Sequence, residues 1–154
     1  MRMEGMYKVC DVKLTYNTKV KSSERAVVKD SNSAYSLLIG HVYDPETIQH
    51  REYMKLILLN RAHKVLGIAH ISEGGLDSTS ADIRIIMQAA ILGNASAMIL
   101  SHNHPSGNKQ PSNQDDLLTE RVNKAAKLFG IQLLDHIIAT DSEYYSYSDE
   151  GRIL

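Results

Sequence analysis

The sequence predicts an α/β (α+β-like) domain, a mixed β-sheet flanked by helices. Three observations carry that prediction. An apolar run opens at Tyr53, a second spans Ala95 to Leu100, and two segments with apolar residues at helical spacing lie on either side of the second run. Their order along the chain, with the shorter runs between and after them, is strand, strand, helix, strand, helix, strand, strand, which places helices against a sheet.

Taken in order, residues 1–50 read as an N-terminal extension packed on a domain that occupies 51–154. Within the extension, Lys8 to Tyr16 alternates as a strand, and Ser31 is placed to cap a short helix carrying Tyr35, Leu37 and Leu38. From Glu52 to Leu59 the pattern tightens into a mostly buried strand. Asn60-Arg61 turns the chain, and Lys64 to Ile71 returns as the hairpin partner. Gly74-Gly75 breaks that strand. Thr79 with Asp82 forms a capping box ahead of Ile83, Ile86, Met87, Ala90 and Ile91, a helical stripe stopped by Gly93. Ala95 to Leu100 is a central strand that delivers the chain to Ser101-His102-Asn103-His104-Pro105, where Pro105, Gly107 and Pro111 force a loop. A second helix runs from a Ser112 cap to about Phe129 with Gly130 as its C-terminal cap, and Ile131 to Ala139 and Tyr144 to Tyr147 supply two further strands.

A chain of 154 residues is long enough to bury one continuous core without disulfides or repeats. Its 17 basic and 18 acidic residues leave a formal charge of −1, so composition provides no broad basic surface for phosphate backbones beyond a local patch at Lys19, Lys21 and Arg25. No long uncharged apolar run and no basic-then-apolar leader is visible, which argues against membrane insertion and secretion and makes a cytoplasmic protein the expectation. The single cysteine, Cys10, has no partner for an internal disulfide and reads as a reduced thiol. Any bound metal must then be held by histidine and carboxylate.

His102 and His104 are two apart directly after a buried strand, so an extended chain points both imidazoles to one side, as two ligands of one ion require. Asp115 stands at the head of the second helix's apolar stripe of Leu118, Val122, Ala125, Ala126 and Phe129, whereas Asp116 falls with Glu120, Asn123, Lys124 and Lys127 on the solvent side. An inward carboxylate needs a cation or it neutralises. Read singly, Asp115 only completes a capping box with Ser112, and the histidines are only a polar turn. In the register His-x-His-x10-Asp, with a Pro/Gly loop able to fold the helix start back onto the strand end, the three read as zinc ligands. Two histidines and one carboxylate leave a coordination position open for water, the arrangement of a catalytic zinc.

The run His102-Asn103-His104-Pro105-Ser106-Gly107, then Pro111-Ser112 and Asp115, resembles the His-x-His-x7-Ser-x2-Asp pattern of JAMM metallopeptidases in its RadC variant. The resemblance extends from about Glu52 to the C-terminus and takes in Leu76-Asp77-Ser78, Arg84 and Leu134-Asp135-His136. It implies a JAB/MPN (cytidine-deaminase-like) architecture, Zn2+ as cofactor, and peptidase or isopeptidase activity on a peptide or protein conjugate. It also implies a glutamate from an earlier strand that acts on the attacking water, and a role for the motif serine, Ser112, in stabilising the oxyanion. Glu52 matches that glutamate: it opens a strand and shares a face with Met54, Leu56 and Leu58, while Glu73 beside Gly74-Gly75 is its rival.

The sequence also departs from the family pattern. RadC proteins commonly carry a helix-hairpin-helix segment, for which the N-terminal stretch is too short; Asp82-Ile83 stand where His-Pro usually precedes the arginine, and Asn108 where an acidic residue is frequent. These differences weaken inference about DNA and about the substrate groove and leave the proposed ligands untouched. His136 reads as a hydrogen-bonded supporting residue. His41, His50, His63 and His70 read as solvated or packed side chains, and Tyr144, Tyr145 and Tyr147 as strand packing. Two other functions stay open: a DNA repair or recombination-associated factor, and a non-catalytic module stabilised by zinc. An HNH nuclease is set aside despite the literal His-Asn-His, because that fold draws its residues from a longer segment with different spacing. The sequence does not encode the oligomeric state.

Overall fold

The computed structural model describes residues 19–74 and 81–153. The expected strand at Lys8 to Tyr16, Cys10, Thr79 and the Leu76-Asp77-Ser78 turn lie outside the described residues. After a 3₁₀ turn at Ser22–Glu24 come helix α1 (Ser31–Leu37), extended by a wider π-helical turn over Leu38–Val42, then strands β1 (Tyr53–Leu59) and β2 (Val65–Glu73). Helix α2 (Ile83–Leu92), strand β3 (Ala97–Asn103), helix α3 (Asn113–Leu128) and strands β4 (Gln132–Ala139) and β5 (Tyr144–Ser146) follow. The strands form one five-stranded sheet in the order β2-β1-β3-β4-β5. It is mixed: β1 runs antiparallel to β2 and β3, β3 parallel to β4, and β4 antiparallel to β5. The chain is therefore the α/β domain that the order of its apolar segments calls for.

Met54 to Leu59 are all buried, because β1 is a central strand covered on both faces. Strand alternation sorts their side chains. Met54, Leu56 and Leu58 pack with Ile86, Met87 and Ala90 of α2 and with Val122 and Ala126 of α3. Ile57 and Leu59 pack on the other side with Ala34, Leu38, Tyr43 and Ile48. At about 1.5–3 kcal/mol for each fully buried aliphatic side chain, both layers depend on this one strand. Residues 28–48 thus supply the cover of one sheet face.

Helix ends differ in detail from the sequence expectation. The N-cap of α1 is Asp30, whose side chain accepts from the Ser33 backbone at 2.7 Å, and Ser31 is the first helical residue. For α2 the cap is Asp82 itself, accepting from the Arg84 backbone at 2.8 Å. Asp82 is therefore not the distal member of a box begun by Thr79. Gly93 ends α2 with an ordinary right-handed φ of −76°, so the left-handed conformation is not what requires glycine here. A Cβ at that position would sit 2.5 Å from Leu58 Cδ1 and 2.9 Å from the Ala89 carbonyl: the helix end abuts β1 too closely for a side chain. Ser112 caps α3 as expected, and Gly130, at φ +66°, takes the left-handed turn after it. Ile91 and Phe129 are 47% and 58% exposed, since the apolar stripes of α2 and α3 lose the sheet as each helix ends. No helix among the described residues is long and apolar enough to cross a membrane.

Candidate metal centre

β3 is buried along its whole length and emerges at one end of the sheet beside the start of α3. His102 is the penultimate residue of β3. His104 lies just beyond the strand, yet its backbone N–H still bonds the Ala139 carbonyl at 3.0 Å, so the chain stays extended through it. Both imidazoles consequently project to the same face, and Asn103 between them projects to the other. Glu52 precedes β1, which pairs with β3 so that Met54 lies opposite His102. Asp115 is the third residue of α3, where Ser112 Oγ accepts from its backbone N–H and its own Oδ2 accepts from both the Ser112 backbone and hydroxyl, at 2.7 and 2.8 Å. The capping box and the inward carboxylate are one structure: the cap aims Asp115 at the histidines.

The structure brings Glu52, His102, His104 and Asp115 together, with one donor atom from each lying within 4.8 Å of all the others. His102 Nε2 stands 2.9 Å from His104 Nε2, 3.2 Å from Asp115 Oδ1 and 3.8 Å from Glu52 Oε1, and His104 Nε2 is 3.6 Å from Asp115 Oδ2. Two donors held about 2.1 Å from a tetrahedral ion stand about 3.4 Å apart, so the spacings within the cluster suit a metal ion. Glu73 lies elsewhere, paired with Arg51 at 3.7 Å on the surface. No second metal-like group occurs among the described residues, and His41, His50, His63 and His70 join none.

The hydrogen-bond partners assign the protons of this cluster. Thr119 donates its hydroxyl to the Asp115 carbonyl at 2.6 Å, so its oxygen accepts from His136 Nδ1–H, also at 2.6 Å. His136 Nε2 must then accept from His102 Nδ1–H at 2.8 Å, which leaves His102 Nε2 as a lone pair. His104 Nδ1 donates to the Asn108 carbonyl at 2.6 Å, which likewise leaves His104 Nε2 as a lone pair. Two imidazole lone pairs thus face each other between two carboxylates, a donor set suited to a cation. The outer partner of each histidine fixes its tautomer, as metal-binding histidines require.

Electrostatics point the same way. Burial, and after it the neighbouring His102, push His136 well below the ordinary imidazole value, so it stays neutral as the relay demands. Burial opposes ionisation of both Asp115 and His104, but their mutual contact wins. When protons take the place of a metal ion on these ring nitrogens, hydrogen bonds from His102 and His104 hold Asp115 far below the carboxylate range, while Asp115 and the Asn108 carbonyl raise His104. Tyr147, 1% exposed, stacks on the His136 ring at 5.0 Å between centroids and closes the back of the site.

Several of these residues were not legible as functional. Thr119 is the clearest: its spacing of four from Asp115 puts it on the same helix face, the one available signal. Asn103 is fully buried, donates to the carbonyls of Ile48 and Arg51 at 2.7 and 2.9 Å, and accepts from the Tyr53 backbone at 2.7 Å. These bonds grip the chain on both sides of Glu52, whose own carbonyl accepts from Gly74. Asn103→Asp should destabilise the domain by about 2–4 kcal/mol in urea unfolding, because the carbonyls of Ile48 and Arg51 lose their donor and a carboxylate is buried against them. An unchanged midpoint would show that the segment holds its place without Asn103.

The fold and this cluster together define a class: a mixed α/β domain whose central strand, helix start and preceding β-hairpin converge on a candidate metal site. A family model for the RadC-like JAB domain matches residues 28–152, and the chain belongs to that family. Similar curated proteins include a UPF0758 protein of Porphyromonas gingivalis, 45% identical over 128 residues that cover 82% of this chain and 55% of the relative. Another, from Flavobacterium johnsoniae, is 36% identical over 80% of this chain and 51% of its own length, and one from Alkaliphilus metalliredigens is 44% identical over 66% and 44%. The chain spans about half the length of the curated relatives it matches.

Proposed function

We propose that this domain is a zinc-dependent hydrolase that cleaves a peptide or isopeptide bond in a peptide or protein conjugate. The observation that carries the reading is the convergence of two imidazole lone pairs and two carboxylates at the head of a groove of about 660 Å³ that Glu52, His104, Ser112 and Asp115 help to line. His102, His104 and Asp115 are the residues that would hold the ion, and Glu52, on the strand side of the cluster, is the general base. When bound, zinc supplies a Lewis acid that polarises the scissile carbonyl and acidifies water. Glu52 takes the proton of the attacking water and returns it to the leaving nitrogen. Ser112 faces the groove with its hydroxyl on Asp115, and it supports the oxyanion by turning that O–H toward the substrate. The Thr119–His136 relay and the Asn108 carbonyl hold the two imidazoles in register throughout.

Purified protein should contain about one zinc per chain, cleave peptide or isopeptide substrates, lose that activity to a chelator and regain it with Zn2+. Activity that survives complete removal of metal would overturn the reading.

A further inference from the structure

The groove beyond the metal cluster is uneven in charge. Glu52 and Asp115 line one end, prolines Pro105 and Pro111 line it from the loop, and α3 contributes Leu117, Leu118 and Arg121. Leu117 and Arg121 are exposed, Leu117 at 60%, and with Leu118 they form one helix face at i, i+1 and i+4. Among the described residues Arg121 is the only lysine or arginine that lines the groove, and it makes no ion pair, hydrogen bond or ring contact with any of them. Arg152, by contrast, is committed to Asp116 at 2.6 Å. A guanidinium that none of the described residues engages, in a groove whose far end holds two carboxylates, is arranged to take an anion from the substrate.

We infer that Arg121 is a specificity-determining residue that binds a carboxylate of the substrate, carried two to three residues from the bond the site acts on. The inference rests on the hydrolase reading above. The distance follows from the helix: Asp115 and Arg121 are six residues apart, a rise of about 9 Å. An extended peptide advances about 3.3 Å per residue, so a carboxylate leaving the cluster reaches Arg121 in two to three steps. The chemistry favours a carboxylate on a peptide over a nucleic-acid backbone. Neutralising a phosphate chain takes several cations in a row, whereas this groove offers one among the described residues, beside two carboxylates and uncharged side chains, in a protein of net charge −1. The carboxylate can be an Asp or Glu side chain or a chain terminus, two sources of one chemistry.

The test uses the zinc-loaded full chain and a library of octapeptides in which single positions hold Asp, Asn or Lys and the C-terminus is free or amidated. Cleaved ends are read by mass spectrometry, and binding of labelled members to the Glu52→Gln protein is read by fluorescence anisotropy. Wild type should favour Asp over Asn about fivefold at two or three residues from the cut, the upper end of what an exposed ion pair contributes. Arg121→Ala should bring that ratio to about one, and Arg121→Glu should shift it toward Lys. Preference confined to free C-termini assigns the terminus as the source, and preference in amidated peptides assigns the side chain. Cleavage without any acidic preference, or a preference that survives Arg121→Ala, overturns the inference and leaves the hydrolase reading standing. Selective, Arg121-dependent binding without cleavage overturns the hydrolase reading alone. Neither binding nor cleavage overturns both.

Discussion

Glu52→Gln should leave zinc content unchanged while hydrolysis falls by the hundred- to ten-thousand-fold typical of losing a general base. The substitution keeps the shape of the side chain and removes the proton acceptor. Three donors remain for the ion, His102, His104 and Asp115, and the grip of Asn103 and Gly74 on the flanking backbone is untouched. Metal analysis and initial rates on the same preparation check it. Unchanged activity would remove Glu52 from the mechanism, and loss of zinc would make it a ligand.

His104→Ala and Asp115→Ala should each weaken zinc binding by more than about a hundredfold, since even outer partners of ligands are worth ten- to a hundredfold. Asp115→Ala should cost more in stability, because it also strips Ser112 of its reciprocal cap, a further loss of about 1 kcal/mol. Stoichiometric metal in either variant would break the ligand assignment. The pH dependence follows with opposite signs for the two states. In the metal-free protein His104 is raised above the ordinary imidazole value of 6.5, so its contribution is complete below that pH and is lost as pH rises through the folded value. Asp115 is lowered from 3.8, so its contribution is present above that pH and is lost on acidification. Metal-free protein should therefore be most stable in mildly acidic solution, between about pH 4 and 6.5. Zinc requires His104 deprotonated, so the stabilisation it adds should grow as pH rises past the raised value. Thermal melts with and without zinc across pH 4–8 should show two profiles that nearly coincide in acid and diverge as pH rises; parallel profiles would separate His104 from the ion.

Much of this was legible in one dimension, and the reasons are local. Tyr53 to Leu59 read as a buried strand because six apolar residues in seven cannot lie on a surface, and Ser112 to Gly130 read as a helix because its cap, its stripe and its terminal glycine all agree. The pair His102 and His104 read as co-facial because strand alternation is a property of the backbone alone. Tertiary structure decided which carboxylate joined them. Glu52 and Glu73 lie side by side at the open end of one hairpin and are both plausible on paper, but the register that sets Met54 against His102 carries Glu52 to the cluster and leaves Glu73 on Arg51. It also decided the proton positions. The chain from the Asp115 carbonyl through Thr119 and His136 to His102 links α3, β4 and β3, elements brought together only when both faces of the sheet are packed. Periodicity reports which face a residue occupies. Which residue stands opposite it depends on sheet register and layer packing, which are properties of the folded chain.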